Sequence, residues 1–265
     1  MGTLVAGLDV NQVNWLCRSS GSFTSLFKQI IKINDINLHA QSEMIVLDAC
    51  ILMSGVLRPL LLNLAQAGLF HPVWSSYIGL EWRRNAARLW PINRDLLSDE
   101  WAQMQQRFPQ ACFDPSMVDA HFETLSKPLL RRSDAKDHHV IMAGVRALSE
   151  HDTKEFASVN AVKVSQQSIS VAHEVKALKK VSTNILTWNI RDFNRTELRQ
   201  LNLGLFNPDQ LLCSWWVKHR ALITHHLERV VQTLIHDGRR EPAPIADFLH
   251  RERLFRFKQL YCQHT

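Results

Sequence analysis

The sequence predicts an α/β fold: a short parallel central sheet flanked by helices, followed by an α-helical C-terminal extension. Three observations carry this expectation. Met44-Ile45-Val46-Leu47 is an apolar, β-branched run ending in Asp48, the pattern of a parallel strand buried on both faces. Asn184-Ile185-Leu186-Thr187 and Leu203-Gly204-Leu205-Phe206 read as two further strands. Elsewhere the apolar residues recur mostly at helical spacing rather than in alternation.

Taken in order, residues 1 to 43 carry one short amphipathic stretch, Phe27 to Ile31, and no clear element. Because Met44 opens the first strand, residues 1 to 43 are expected to be an N-terminal extension or the product of a misassigned start. After that strand, Leu57, Leu60, Leu61, Leu64 and Leu69 lie at helical spacing, with Gly68 as the stop. Trp74-Ser75-Ser76 offers serine caps to a helix running through Tyr77, Leu80, Glu81 and Arg84 to about Leu89, closed by Pro91. Asp95 to Phe108 and Pro115 to Leu125 predict two more helices. Ser133-Asp134 precedes a helix with Asp137 in its first turn, followed by Val140, Ile141, Ala143, Gly144 and Ala147, small and apolar as close packing requires.

From about Leu148 to Thr183 the chain is polar and reads as an insertion with a helix from Val171 to Lys180. Asn207 as N-cap and Pro208 at the first helical position open a helix through Trp215 and Trp216. Beyond Lys218 the pattern is helical only, broken at Asp237-Gly238 and between Pro242 and Pro244. The expected organisation is an extension over 1–43, a central domain over 44–216 and a helical extension over 217–265.

The 265 residues are 46% hydrophobic and 21% charged, an ordinary globular composition, and no apolar run approaches the roughly 20 residues that span a bilayer. A membrane protein is not expected. The first residues lack the basic start and unbroken apolar core of a secretory signal, so the expected location is the cytoplasm. Cys17, Cys50, Cys112, Cys213 and Cys262 are scattered, without the paired spacing of a zinc or redox motif. The net charge of +6 favours a polyanionic partner such as RNA.

The candidate chemistry lies in acids at one topological address. Asp48, the loop from Asn189 to Asp192, and Asp137 all fall at strand C-terminal ends or helix starts, where open α/β sheets bind ligands. Glu81 can join them from its helix. Converging carboxylates raise one another's pKa unless a cation neutralises them, and hard divalent cations such as Mg²⁺ or Mn²⁺ favour oxygen ligands. Singly, each residue has a plainer reading: Asp48 as a turn former, Asp137 as a helix-start acid, Glu81 as a solvated acid, Thr187 and Asn189 as turn residues, Asp192 as a cap. Arg83 and Arg84 stand one turn from Glu81 as phosphate contacts, with Arg84 favoured, although such pairs are often solvated. His138-His139 and His225-His226 are adjacent rather than four apart, so they read as structural rather than as zinc ligands. The tryptophans Trp74, Trp82, Trp90, Trp215 and Trp216 are assigned to packing or an interface. A dehalogenase-like phosphatase would need a second Asp two residues after the first, where Cys50 stands.

At these points the chain resembles a known family. VLDACIL (Val46 to Leu52), YIGLEWRRN (Tyr77 to Asn85), DAKDHHVIMAG (Asp134 to Gly144) and LTWNIRDF (Leu186 to Phe193) look like PIN-domain motifs in the family's order, over roughly Met44 to Trp216. The resemblance implies a PIN-like fold and a metal-dependent ribonuclease of the VapC toxin type, with a subset of such toxins sharing a helical C-terminal extension. It implies that Asp48, Glu81, Asp137 and Asp192 form the acidic catalytic set, that Asp48, Asp137 and Asp192 hold Mg²⁺ or Mn²⁺, and that Thr187 and Asn189 shape the site. Asn189 stands where some members have a carboxylate, and Lys136 where another acid is common. The implied partners are an RNA substrate, a cognate antitoxin and, as an option, a second copy of the chain. The alternative is a non-catalytic PIN-like module that binds RNA or protein.

Overall fold

The computed structural model describes residues 43–90, 93–113, 130–149 and 182–264. The expectations for residues 1–42, for the helices at Pro115 to Leu125 and Val171 to Lys180, and for Pro91 and Cys17 lie outside the described residues. The elements are β1 (Glu43–Leu47), α1 (Ala49–Leu52), α2 (Leu57–Gln66), β2 (Phe70–Ser75), α3 (Ser76–Leu89), α4 (Arg94–Arg107) and β3 (Cys112–Phe113). A 3-10 turn, Ala135–Asp137, leads into α5 (residues 138–149). Then come β4 (Thr183–Leu186), a 3-10 turn at Ile190–Asp192, α6 (Arg195–Gln200), β5 (Leu203–Phe206), α7 (Pro208–His236), α8 (Ile245–Arg251) and α9 (Phe255–His264).

The chain is α/β, with a parallel sheet ordered β2-β1-β4-β5 that the two-residue β3 extends beyond β2. The chain builds outward from β1 through β2 to β3, then crosses back to place β4 on the other side of β1. The carboxyl ends of β1 and β4 therefore flank the point where strand order reverses, the crevice in which open α/β sheets bind ligands. Ile45, Val46, Leu47, Ile185 and Leu186 are at most 1% exposed, so both faces of these central strands are covered. Gly144 makes part of that cover possible. A Cβ there would lie 3.1 Å from Leu203 and 3.3 Å from Val46, so glycine lets α5 settle close to the sheet.

Three strands match the sequence expectation closely; β2 and β3 were not foreseen. Pro72 argues against a strand, because proline donates nothing to a ladder. Here it costs no bond: the Trp74 amide donates to Ala111 at 2.8 Å, so the nitrogen of Pro72, two residues earlier, faces the same edge, where β3 does not reach. β3 pairs only with Trp74 and Ser75.

The helix starts and stops follow their caps. Ser75 Oγ accepts from the Ile78 amide at 3.2 Å and opens α3. Trp90 ends it in the extended conformation a following proline favours (φ −113°, ψ 138°). Gly68, at φ 81°, turns the chain after α2, where an L side chain would be strained. Asn207 and Gln210 form a reciprocal capping box at the start of α7, with Pro208 inside it. The helix does not stop at Trp216: it continues through a kink at His219 to His236, crossing the expected boundary at 216/217. Asp209, buried in its first turn, accepts from the amides of Arg256 (3.1 Å) and Phe257 (2.8 Å), fastening α9 to α7. Trp216 meets Phe257 edge-on at 5.3 Å and Phe70 stacks on Trp215 at 5.2 Å, consistent with the packing role expected of the tryptophans. Trp74 and Trp82 are fully buried. No helix among the described residues is long and apolar enough to cross a membrane.

Candidate metal centre

Asp48 follows β1 directly and is 3% exposed. Its Oδ2 accepts from Thr187 Oγ1 at 2.6 Å and from Cys50 Sγ at 3.1 Å. Thr187 sits just past β4, fully buried, and its hydroxyl also receives the Asn189 amide at 2.9 Å. One hydroxyl thus sets the Asp48 carboxylate and starts the turn that carries Asp192. Burial first, then the charge of Asp48, pushes the Cys50 thiol far above its usual range, so it serves as a neutral donor rather than a nucleophile.

The second group of acids is built from two segments far apart in sequence. The Asp134 amide donates to the Asp192 carbonyl at 2.8 Å, joining the turn before α5 to the turn after β4. Glu197 holds that junction from α6. Its carboxylate accepts from the amides of Arg131 (2.9 Å), Arg132 (2.7 Å) and Ser133 (2.9 Å) and from Ser133 Oγ (2.7 Å). Burial opposes its ionisation, but these donors overcome that and hold the carboxyl below its usual range. Ser133 Oγ in turn accepts from the Asn194 amide at 2.9 Å.

Asp134, Asp137 and Asp192 are thereby brought together, each with a carboxylate oxygen within 4.8 Å of the others'. Asp137 is buried at 6% exposure, and its Oδ2 has no hydrogen-bond partner among the described residues. A buried acceptor left unpaired is costly, and one aimed into a carboxylate cluster fits a cation. Burial, against the pull of Lys136 and with the charges of Asp48, Asp192 and Asp134, raises the Asp137 pKa to about 6. Lys136 reaches into the same group: its Nζ lies 2.9 Å from Asp192, 3.4 Å from Asp134 and 3.9 Å from Asp137. The bond to Asp192 and the charge of Asp137 raise its pKa. The oxygen-only donor set suits a hard divalent ion, with the lysine supplying one positive charge beside it.

The remaining sequence-derived residues lie around this centre. Asp48 is outside the close trio, yet near enough for its charge to raise Asp137. Glu81 on α3 pairs instead with His139 of α5, at 3.3 Å between Oε2 and Nε2. That contact lowers the Glu81 pKa; burial acts to lower that of His139, but Glu81 and the Lys136 carbonyl outweigh it and raise it. Arg84 is exposed, and its charge also lowers Glu81. Asn189 is exposed too; its backbone caps the 3-10 turn, and its side chain accepts no capping bond.

Sequence reasoning left out Asp134, Glu197 and His139. Asp134 stands three residues before Asp137, a spacing that puts two acids on one side of a turn, but its neighbours read as a cap. It is a cap as well, accepting from the Lys136 amide at 3.1 Å. Glu197 follows Asn194 by three residues, the spacing of a capping box, which conceals its actual target sixty-odd positions earlier. No family model, curated protein or solved structure matches the chain.

Proposed function

We propose that this protein is a metal-dependent endoribonuclease of the PIN-domain, VapC-like kind, the toxin of a type II toxin-antitoxin pair. The observation that carries the reading is the buried Asp137 oxygen, without a hydrogen bond among the described residues, grouped with Asp134 and Asp192 near the sheet's switch point. The ordered motifs around Asp48, Glu81, Asp137 and Asp192 supply the family. Asp134, Asp137 and Asp192 would hold Mg²⁺ or Mn²⁺, with Asp48 as the adjoining acid. Bound there, a divalent cation supplies an acidified water as nucleophile and charge stabilisation at the phosphoryl oxygens.

The chain's own residues prepare that chemistry. Thr187 and Cys50 fix one Asp48 oxygen and so orient the other. Asp137, crowded and buried, has most to gain from a neighbouring positive charge. Lys136 neutralises the flank nearest Asp192, which favours a single ion, and once a cation takes over the carboxylates its ammonium is free to meet a phosphate oxygen. His139, held more cationic by Glu81, lines the approach from α3. A cognate antitoxin covering the acidic pocket and a homodimeric state belong to the same proposal.

The test is cleavage of a cellular RNA pool by purified protein with Mg²⁺ or Mn²⁺. Cleavage that is lost in EDTA and in Asp48→Ala is expected. No cleavage with either metal, or an Asp48→Ala variant as active as wild type, refutes the proposal. The 2.9 Å contact of Lys136 with Asp192 favours a second reading, a binding module whose acids are neutralised internally. That reading expects RNA binding that is indifferent to metal, without cleavage.

A further inference from the structure

The groove between α3 and α4, outside the acidic centre, is lined by Arg83, Arg84, Arg88 and Arg94 and by no carboxylate. Arg84, Arg88 and Arg94 are exposed; Arg84 has the charge of Glu81 nearby, and Arg88 and Arg94 form no ion pair among the described residues. Arg84 and Arg88 stand four apart on α3, a like-charge pairing that weakens a helix unless something anionic rests on it. Arg94 is the first residue of α4, where the helix dipole disfavours a cation. Arg88, in the last turn of α3, is favoured by that helix's dipole, so helix stability leaves only Arg94 without an account. Arg83 is already stacked on Trp101, its guanidinium 5.6 Å from the ring centroid, which fixes one wall of the groove.

α3 relates the groove to the acidic centre. Glu81, Arg84 and Arg88 lie at i, i+3 and i+7 on one face of α3, and Glu81 reaches α5 through His139. From Glu81 to Arg88 the helix rises about 10 Å. We infer that this arginine groove binds the phosphodiester backbone of single-stranded RNA that extends from the acidic centre. The inference rests on the nuclease reading for the direction of the strand. It differs from it in placing affinity on α3 and α4, away from the metal ligands.

The experiment is fluorescence anisotropy of a labelled, unstructured oligoribonucleotide titrated with the full chain in EDTA over a range of salt concentrations. Each phosphate contact contributes about 0.7 to the slope of log affinity against log salt for a single strand. The double variant Arg88→Ala/Arg94→Ala is expected to lower that slope by about 1.4 and weaken binding, while Arg88→Lys/Arg94→Lys keeps the slope. An unchanged circular dichroism spectrum and thermal unfolding of each variant report that the fold is intact. An unchanged slope in the alanine variant overturns the inference, even if RNA is cleaved. So does Arg88- and Arg94-dependent binding of polyglutamate with none of RNA, which would make the groove a protein dock. Because this binding assay contains no metal, it does not depend on cleavage, and failure of the separate Mg²⁺ or Mn²⁺ cleavage test refutes the nuclease reading without deciding this one.

Discussion

Replacing Asp137 by asparagine is expected to make the metal-free protein more stable. The carboxyl is pushed from 3.8 to about 6, chiefly by burial, so its charged form is penalised in the folded state. At about 1.36 kcal/mol per pH unit, that displacement is worth at most roughly 3 kcal/mol. The side toward the exposed Lys136 is open to solvent, which screens the charge and reduces the expected gain to about 1.5–2 kcal/mol. The sign follows from proton linkage: a raised acid pKa makes the folded state bind its proton more tightly. The penalty is therefore present above about pH 6 and disappears as pH falls through 6 toward 3.8. Thermal or denaturant unfolding in EDTA should show Asp137→Asn ahead of wild type by roughly 3–8 °C near neutral pH, with the gap closing in acid. Mn²⁺ in hundredfold excess over its dissociation constant should then stabilise wild type by about 2.7 kcal/mol and the variant far less. An asparagine variant less stable than wild type in EDTA near neutrality, or a gap that does not close on acidification, refutes the reasoning.

Other perturbations reach the supporting structure. In Gly79→Ala the new Cβ would lie 2.5 Å from Cε2 and 2.6 Å from Cη2 of Trp101, whose ring is wedged between Trp74 and Trp82; the overpacking, roughly 3 kcal/mol, outweighs the helix-propensity gain of about 1 kcal/mol, so denaturation should show a net loss near 2 kcal/mol. Lys136→Met removes the competing ammonium and should tighten Mn²⁺ binding, read by calorimetry; weaker binding would show that the lysine assists the ion. Glu197→Gln puts an amide donor against existing donors and should cost about 2 kcal/mol, and it should weaken Mn²⁺ binding because Asp134 and Asp192 lose their common anchor. Glu81→Gln should lower the His139 pKa, followed by NMR titration. In wild type the His139 contribution to stability is whole below the unfolded value and is lost as pH rises through its raised folded value.

Local signals made most of the described fold legible. β1 and β5 announce themselves as apolar runs, and α3 and α7 begin at the serine and asparagine caps that the sequence advertises. β2 was hidden because Pro72 is tolerated only through the shortness of β3, a fact about a neighbour rather than about the segment. The helical pattern beyond Lys218 and its break at Asp237-Gly238 were legible, but that α7 runs unbroken across 216/217 was not, because its packing partners, α2 and α9, lie elsewhere in the chain. At the site, Asp48 and Thr187 could be paired because each ends a recognisable strand. Asp134 and Glu197 could not, since the bonds that give them a role span 58 and 64 or more positions. Those bonds leave no periodic trace, and each residue has a sufficient local job as a cap or near-cap.

The hydrogen bond from Asp134 to Asp192, with Glu197 clamping it, has a consequence for synthesis. A nascent chain that has emerged only as far as α5 already contains Asp48, Glu81, Asp134 and Asp137, yet it holds no carboxylate trio and no closed crevice. The centre comes into being only after β4 has inserted beside β1 and α6 has left the ribosomal tunnel. The carboxylate trio is therefore a product of long-range folding and cannot form from the segment that ends at α5 alone.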